Sequence, residues 1–498
     1  MKLTGDFQIK KNRFIIFMLT VMCLAYVSSL SMAQEKPLTL ADAFTRALSS
    51  NLNLNIQRFN PVSAGLDVNI AKSVFNPTFT QGLTTTGDPN SDSYNQGGSS
   101  QLTKKLPFGA TVGFLWSYQR ASTLISSPTY QSASGFTLSM PLLAGFGWDV
   151  TNAPIVISEK QKNISRFNLR DQIEQLLASV NSSYWNFKMS IEELKILREN
   201  YENAKKLHER TLELIKEGNL AELEKFQTES AIFTREDSLV SAEKTVKDNK
   251  DTLLNLLRLD LSEEIVPVDA PSFRRLETNY EESLEDSFKY RADYLTAREN
   301  LDISEWNLKV ARSNRLPDLS LTGGYTTGSN VNPGGFTQGA LSRMDQARSW
   351  NAGLNFSVPF PNTAKTDTYY KSKISNQQSK ITLAQLKDNI AKELKQSIRA
   401  LTTTQKKVEV SKNARELAEK KLEAEMIKLE EGLSDNFMVI TFQNDLSTAR
   451  SSETKAITDY QIAAIALKKS EGTLLKYLNI SFEDELVKEK ELYKKIRD

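Results

Sequence analysis

The sequence has only one cysteine, Cys23, and one histidine, His208, among its 498 residues. Zinc clusters and cysteine- or serine-based catalytic groups need more of these residues than this. His208 stands among charged residues of a helical pattern, which favours a surface position over a catalytic one. No phosphate-binding glycine loop is present either. The sequence therefore indicates that the protein is not an enzyme and has no metal or cofactor.

Excess charge of one sign is also missing, since 63 Lys and Arg residues face 61 Asp and Glu residues. Nucleic-acid binding depends on excess positive charge, so we expect no nucleic-acid partner. Hydrophobic residues make up only 39% of the chain, which is low for several compact cores. After residue 33, no apolar run approaches the ~18 residues of a membrane-spanning helix.

The first 33 residues have the pattern of a signal peptide. Four basic residues precede an apolar run at 14–30, and Ser31-Met32-Ala33 places small residues at a cleavage site. A membrane anchor is the alternative interpretation of this run. Cleavage after Ala33 would remove Cys23 and leave a chain without cysteine. Such a chain would be periplasmic, secreted or an outer-membrane β-protein.

Two halves of the sequence match each other in order, which indicates an internal duplication. At an offset of 240 the identical pairs are Arg58/Arg298, Asn60/Asn300, Ala71/Ala311, Ser73/Ser313 and Pro77/Pro317. At offsets of 214 and 221, the matching segments are Glu217-Gly218 with Glu431-Gly432, and 252–254 with 473–475. We predict a signal peptide at 1–33, a first repeat at 34–260, a second at 261–480 and a charged tail at 481–498.

Each half is predicted to contain short helices, a strand pair and a long helical hairpin. The strand pairs lie within 77–142 and 317–360, with strands at 77–86, 133–142, 317–327 and 349–360. Alternation is clearest around Trp350, where every second residue is apolar. Gly- and Ser-rich segments at 87–98 and 328–340 are predicted loops. Segments 101–106 and 110–119 resemble an additional hairpin.

The helical hairpins are predicted at 151–259 and 363–479. From Pro154 to Lys216 there is no further proline and no glycine, and apolar residues recur every three or four positions. That spacing is typical of coiled coils, and about 63 residues would extend roughly 95 Å. Gly218 and Gly432 then end the first helix of each hairpin and begin its return.

Aromatic residues in and beside the strands suit the interfaces of a membrane β-barrel. A soluble β-domain at the end of a coiled coil remains an alternative. Four strands cannot close around a pore, and open sheet edges cannot lie in lipid, so copies of the chain would have to combine. The candidate interface residues are Phe79, Trp116, Phe136, Trp148, Tyr325, Trp350, Phe356 and Phe360.

The chain resembles the TolC-like outer-membrane efflux protein family over nearly all of residues 38–480. The resemblance depends on Leu38-Thr39-Leu40-Ala41-Asp42-Ala43, the two Ala-Lys/Arg-Ser…Pro junctions, Pro141-Leu142-Leu143 and Glu431-Gly432-Leu433-Ser434. It implies a mixed, mainly α fold: a homotrimer whose outer-membrane β-barrel, with about four strands per copy, continues into a periplasmic α-helical barrel. The additional hairpin at 101–119 would be an extracellular loop or a strand extension.

The resemblance also implies that the hairpin tips close the periplasmic entrance and bind a membrane-fusion adaptor through a Gly-Leu-Ser-type turn. Gly432, Leu433 and Ser434 match that turn, whereas Gly218 and Leu220 match it with Asn219 inserted. An acid six residues beyond the glycine is common in the family. Glu224 and Met438 occupy these positions, and Glu222 and Asp435 are further candidates for entrance charge. A connector without a partner, with a solvated charged face, is the alternative.

The resulting hypothesis is an outer-membrane exit duct of a tripartite efflux or type I secretion system. It would export small molecules or polypeptides passively from a Gram-negative-type bacterium. Its partners would be outer-membrane lipid, a periplasmic adaptor and an inner-membrane pump. The alternative is a periplasmic coiled-coil adaptor, which usually has one hairpin, whereas this sequence predicts two.

Overall fold

The computed structural model describes residues 36–88, 93–123, 128–218, 220–270, 273, 275–331, 347–431 and 433–497. The predicted signal peptide at 1–33 lies outside these residues, as does Gly432. The chain divides into two compact units, which are described separately. Unit 1 comprises residues up to Leu52, Gln175–Thr278 and Ser397–Leu467, and unit 2 comprises Asn53–Glu174, Asn279–Gln396 and the residues from Lys468.

Helices dominate the described residues. They are α1 Leu40–Ser50, α2 Leu52–Gln57, α3 Phe59–Lys72, α4 Trp148–Lys216, α5 Leu223–Leu257, α6 Tyr280–Tyr290, α7 Ala292–Asn314, α8 Thr363–Glu430, α9 Asn436–Ser470, α10 Leu474–Tyr477 and α11 Phe482–Arg497. The strands are β1 Lys36–Leu38, β2 Thr78–Asp88, β3 Ser93–Lys105, β4 Thr111–Thr123, β5 Thr129–Pro141, β6 Ile265–Pro267, β7 Asp318–Val331 and β8 Ala347–Ser357. None of the described helices has an apolar stretch long enough to cross a membrane.

The two longest helices, α4 and α8, have 69 and 68 residues. Both lack glycine, and their apolar residues recur at coiled-coil spacing. One stripe of each helix can therefore be buried while its other side chains remain exposed to solvent. Helix α4 begins at Trp148, three residues before the predicted start of the hairpin at 151. Gly145 and Gly147 adopt positive φ angles, and the amide of Thr151 then donates to Gly147 O (3.1 Å). Pro154 therefore falls near the start of the helix, where one backbone donor is lost.

In unit 1, α4 and α5 bury Tyr184, Phe187, Leu253 and Leu254 almost completely. The short strands β1 and β6 pair in parallel in the same unit. Tyr184 Oη donates to Asp269 Oδ2 (2.6 Å), and the Leu40 amide at the start of α1 donates to the same oxygen (2.6 Å). Burial and the adjoining carboxylate both raise the pKa of the Tyr184 hydroxyl, which therefore stays a donor.

Replacing Asp269 by alanine is expected to destabilise unit 1 by about 3 kcal/mol, because two donors lose a charged acceptor worth ~1.5–3 kcal/mol each. Tyr184→Phe should cost about 1–2 kcal/mol, since it removes the contacts of the hydroxyl with Asp269 and with Leu38 O but leaves the helix start in place. Thermal unfolding of the detergent-solubilised full chain, followed by circular dichroism, measures both. Equal midpoints for wild type and Asp269→Ala would contradict this role.

In unit 2, Leu169, Ile173, Ile390 and Leu394 form the centre of the helical core. The end of α9 is held by side chains from other helices of the unit. Arg170 donates to Gly472 O (2.7 Å), and Arg291 donates to Ser470 O (3.0 Å). These bonds satisfy carbonyl groups that the last turn of a helix leaves free.

Unit 2 also contains an antiparallel sheet of six strands in the order β2-β3-β4-β5-β7-β8. The expectation of about four strands per copy is therefore wrong for this sheet. The difference is the hairpin β3–β4, which pairs along its whole length from Ser93↔Thr123 to Lys105↔Thr111. The sheet has β2 and β8 at its edges.

The predicted loop at 87–98 is also partly wrong, because residues 93–98 belong to β3. Its glycines reflect close packing within the sheet. A Cβ atom on Gly98 would lie 2.4 Å from the ring of Tyr118 on β4, so only glycine fits beneath that ring. The other predicted loop begins at 328, where β7 continues to Val331, and its residues 332–340 lie outside the described chain.

Within the charged tail predicted at 481–498, Phe482–Arg497 forms helix α11, which packs against α3 in unit 2.

Candidate functional site

Two features of the chain are candidates for function: the turns of the helical hairpins in unit 1 and the two faces of the sheet in unit 2. In the first turn, Gly218 has a φ of +77° with open space around it. That left-handed conformation suits glycine and permits the chain to reverse after α4. Leu220 is half-buried and Glu222 is exposed just before α5.

The second turn is closed by a carboxylate that sequence reasoning missed. Ser434 Oγ donates to Glu425 Oε1 (2.6 Å), and Lys428 Nζ lies 3.2 Å from Glu425 Oε2. Asp435 caps α9, because its Oδ1 accepts from the amide of Met438 (2.9 Å). Leu433 is 73% exposed, although its neighbours are tied to the helices. Leu433 is therefore exposed beside residues whose side chains bond to the helices.

The hydrogen bond from Ser434 and the adjacent ammonium of Lys428 lower the pKa of Glu425. We therefore expect the turn to loosen in acid. Because the folded pKa lies below the ordinary value of 4.5, this stabilisation is complete above that pH and is lost as the pH falls through the folded pKa. Hydrogen exchange of residues 433–439, corrected for intrinsic rates, should be constant above pH 4.5 and should accelerate as the pH falls below it.

Ser434→Ala is the matched control for this acid effect. Its exchange should already be faster at neutral pH and should change less on acidification, because the main contact to Glu425 is absent. An acid response of the same size in both proteins would show that Glu425 does not hold the turn.

The structure brings the two turns together within unit 1. Asn436 Nδ2 donates to Glu224 Oε2 (3.2 Å), so a predicted entrance acid of the first turn contacts the start of α9. Asn436 is 1% exposed, and its Oδ1 has no hydrogen-bond partner among the described residues. Met438, the second-half counterpart of Glu224, is not part of this bond. Sequence reasoning could not find Asn436, because its partner lies on another hairpin.

A second bond between the hairpins lies farther along α5. Arg235 is 7% exposed and donates to Gln443 Oε1 on α9 (3.1 Å) and to Asn200 O on α4 (3.3 Å). Burial lowers the pKa of this guanidinium. Arg235 therefore joins three helices through neutral acceptors. Beside it, an open groove of about 470 Å³ runs between α5 and α9 and includes Phe437 in its lining.

Apolar side chains are exposed around both turns. We call this set the tip apolar surface: Leu223 and Phe226 at the start of α5, and Leu433 and Phe437 beside the start of α9, each more than 60% exposed. Exposure of large apolar side chains to water is unfavourable. A cluster of such side chains on a surface is therefore typical of a site that binds a partner. Of the four, only Leu433 was singled out from the sequence, although the i, i+3 spacing of Leu223 and Phe226 places them on one helix face.

The sheet has one apolar face and one polar face. A single row of paired residues crosses all six strands on the apolar face. The row is Phe79–Leu102–Phe114–Phe136–Tyr325–Trp350. Within it, the rings of Phe114 and Phe136 are 5.2 Å apart. Phe136 and Trp350 are 65% and 78% exposed, so this face lacks a covering layer within the described chain.

The opposite face consists almost entirely of Gly, Ser, Thr, Asn, Gln and Ala, and its residues line an open concavity of the sheet. Charged residues of this face in the described strands lie only at strand ends. They are Asp88, Lys105 and Asp318. An apolar convex face and a polar concave face together suit a wall between lipid and water.

Six of the eight predicted interface aromatics lie on the apolar face of the sheet. They are Phe79, Trp116, Phe136, Tyr325, Trp350 and Phe356. Trp148 is instead the first residue of α4, and Phe360 follows β8 and is fully exposed. These two are outside the strands but next to their ends.

The model of a family described as "Outer membrane efflux protein" matches residues 44–257 and 285–473. No curated protein is similar enough in sequence to count as a match. The fold is similar to solved outer-membrane channels. For the Campylobacter jejuni CmeC outer membrane channel, the TM-score is 0.67 at 15% identity, covering 90% of this chain and 89% of that one.

Two further channels give similar values. The outer membrane protein VceC of Vibrio cholerae has a TM-score of 0.63 at 14% identity, covering 87% of this chain and 96% of that chain. The open state of the Neisseria gonorrhoeae MtrE outer membrane channel has a TM-score of 0.63 at 16% identity, covering 87% and 89%. At these identities the similarity establishes the fold.

Proposed function

Because the chain belongs to the outer membrane efflux protein family, we propose that three copies form a passive exit duct across the outer membrane. The single observation that supports this most strongly is the two-faced sheet of unit 2. Its apolar face has a row of large apolar residues across every strand, aromatic on five of the six, and its concave face is polar and nearly uncharged. The apolar face would contact lipid, and the polar face would line the pore.

The hairpin turns would form the periplasmic entrance and bind a membrane-fusion adaptor. Leu433, on a turn fixed by Ser434 and Glu425, would insert into a groove of the adaptor. The tip apolar surface provides the area for this contact. Glu222, Glu224 and Asp435 would repeat around the entrance and attract cations. Gly218, Leu220 and Gly432 would shape the turns.

Energy for export would come from an inner-membrane pump, and the duct itself would perform no catalysis. The pump and adaptor would select the cargo, which would be small molecules in an efflux system or polypeptides in type I secretion. Opening would require the hairpin tips to separate, which breaks bonds such as Asn436–Glu224. The helices of unit 1 would lie in the periplasm.

Reconstitution into planar bilayers tests this proposal, after the oligomeric state of the purified protein has been measured. Trimers that produce discrete conductance steps, without any added nucleotide, are the expected result. A monomeric protein that gives no conductance under the same conditions would rule out the duct.

A further inference from the structure

The hairpin β3–β4 lies inside the sheet and not at its edge. On one side β3 pairs with β2 from Thr78↔Thr103 to Asp88↔Ser93. On the other side β4 pairs with β5 from Thr111↔Ser139 to Ala121↔Thr129. If the hairpin were a loop outside the membrane, β2 and β5 would have to pair with each other. The two strands therefore separate β2 from β5 along nearly their full length.

The turn between β3 and β4 is fixed against the start of α4. Asn152 Nδ2 donates to Pro107 O (2.9 Å), and the Gly147 amide donates to Phe108 O (3.3 Å). Gly109 has a φ of +102°, and a Cβ there would lie 3.1 Å from Gly145 O. The turn thus belongs at the end of the sheet where β5 leads into α4, opposite to the end expected of an extracellular loop.

The extra strands also contribute residues to both faces of the sheet. Leu102 on β3 and Phe114 on β4 complete the aromatic row between Phe79 and Phe136. Apart from Leu115 on β4, the alternate residues are polar or small. Each of the two strands has 13 residues, which exceeds the ~9–11 that a tilted strand needs to cross a bilayer.

We propose that β3 and β4 are part of the membrane wall, so that three copies close a barrel of 18 strands, six from each. This inference rests on the proposed trimeric duct. One copy cannot close alone, because the smallest such barrels have about eight strands. The edges β2 and β8 must therefore pair between copies, since open edges are not stable in lipid.

The wall would be wider than the 12-strand wall implied by four strands per copy. With strands about 4.8 Å apart and tilted by about 40°, 18 strands give ~36 Å between opposite backbones, against ~24 Å for 12. The cross-section increases about twofold. Small, uncharged side chains on the polar face keep this space open. The outer part of the duct would thus admit bulky hydrated cargo, polypeptides included, with weak discrimination by charge.

Cysteine pairs in the full chain test the strand order, in a Cys23→Ser background that has no other cysteine. Thr78 pairs directly with Thr103, and paired residues are ~4.5–5.5 Å apart, within reach of a disulfide. Thr137 on β5 is three strands away from Thr78, about 14 Å, and out of reach. We expect Thr78→Cys/Thr103→Cys to cross-link within one chain in isolated outer membranes and Thr78→Cys/Thr137→Cys not to do so.

A deletion of residues 93–123 tests the width. Residues 89–92 and 124–128 then connect β2 to β5, and the barrel wall should become narrower. Polyethylene glycols of graded size, added on the side opposite the helical tips, should enter the wild-type channel at larger sizes than the deletion variant. An identical size limit would overturn the wider wall, and the cysteine pairs decide the question if the variant does not assemble.

The outcomes separate this inference from the function on which it rests. A conducting protein that cross-links 78 with 137, or that assembles from two copies, overturns the 18-strand wall and leaves the channel intact. A protein that does not conduct overturns the channel and the wall together. Conducting trimers that cross-link 78 with 103 only are the result expected for 18 strands.

Discussion

A lysine in place of Phe136 is expected to prevent assembly in the outer membrane, whereas a lysine at the adjacent Thr137 is expected to be tolerated. Consecutive residues of β5 point to opposite faces, and both side chains are exposed in the single chain. Only Phe136 belongs to the aromatic row. A lysine facing the middle of the bilayer costs ~2–4 kcal/mol, and the proposed trimer would contain it three times.

Density-gradient fractionation of membranes, with gel detection of the oligomer, measures this pair of variants. Phe136→Lys should leave little oligomer in the outer-membrane fraction, and Thr137→Lys should match wild type. If Thr137→Lys fails and Phe136→Lys assembles, the lipid and lumen faces are reversed. Equal assembly of both variants would mean that the sheet does not contact lipid.

Leu433→Asp should reduce pump-dependent export at least tenfold while leaving assembly and bilayer conductance unchanged. Burial of a leucine against a partner stabilises the contact by ~1.5–3 kcal/mol, and a carboxylate in its place would also lose its hydration. Because ~1.4 kcal/mol is a factor of ten in affinity, three altered turns should abolish binding of the adaptor. The side chain is 73% exposed, so the fold of the duct does not depend on it.

Leu261→Asp is the matched control, since Leu261 is 61% exposed but follows α5 at its other end. Export through this variant should equal that of wild type. Export that is unchanged in Leu433→Asp would exclude the second turn as the docking site. Loss of export in both variants would point to a general loss of function and not to the turn.

The long helices could be predicted from the sequence because their signals are local. An absence of glycine and a repeat of apolar residues define α4 and α8 within a few residues, and Gly218 marks the reversal after α4. Strands β2 and β7 could be located by their content of Thr and aromatic residues, and β8 by its alternation. These features depend on residues that are close together in the sequence, so they can be recognised from the sequence alone.

The sheet order could not be predicted for the same reason. Gly97 and Gly98 suggest a loop when read alone, and only the ring of Tyr118 on the next strand explains the need for glycine. The candidate site shows the same limit. Glu224 could be proposed from its distance to Gly218, but its partner Asn436 lies more than 200 positions away. Glu425, nine residues before Ser434, lacks any pattern that distinguishes it from other helical acids.

Electron cryomicroscopy of the purified full chain in lipid nanodiscs tests the central claim most directly, because it shows the number of copies and the position of the lipid together. We expect a ring of three copies, with the lipid belt around the apolar face of the sheet at the level of Phe136 and Trp350. A ring of three whose lipid belt lies elsewhere, or a single copy without a belt, would contradict it.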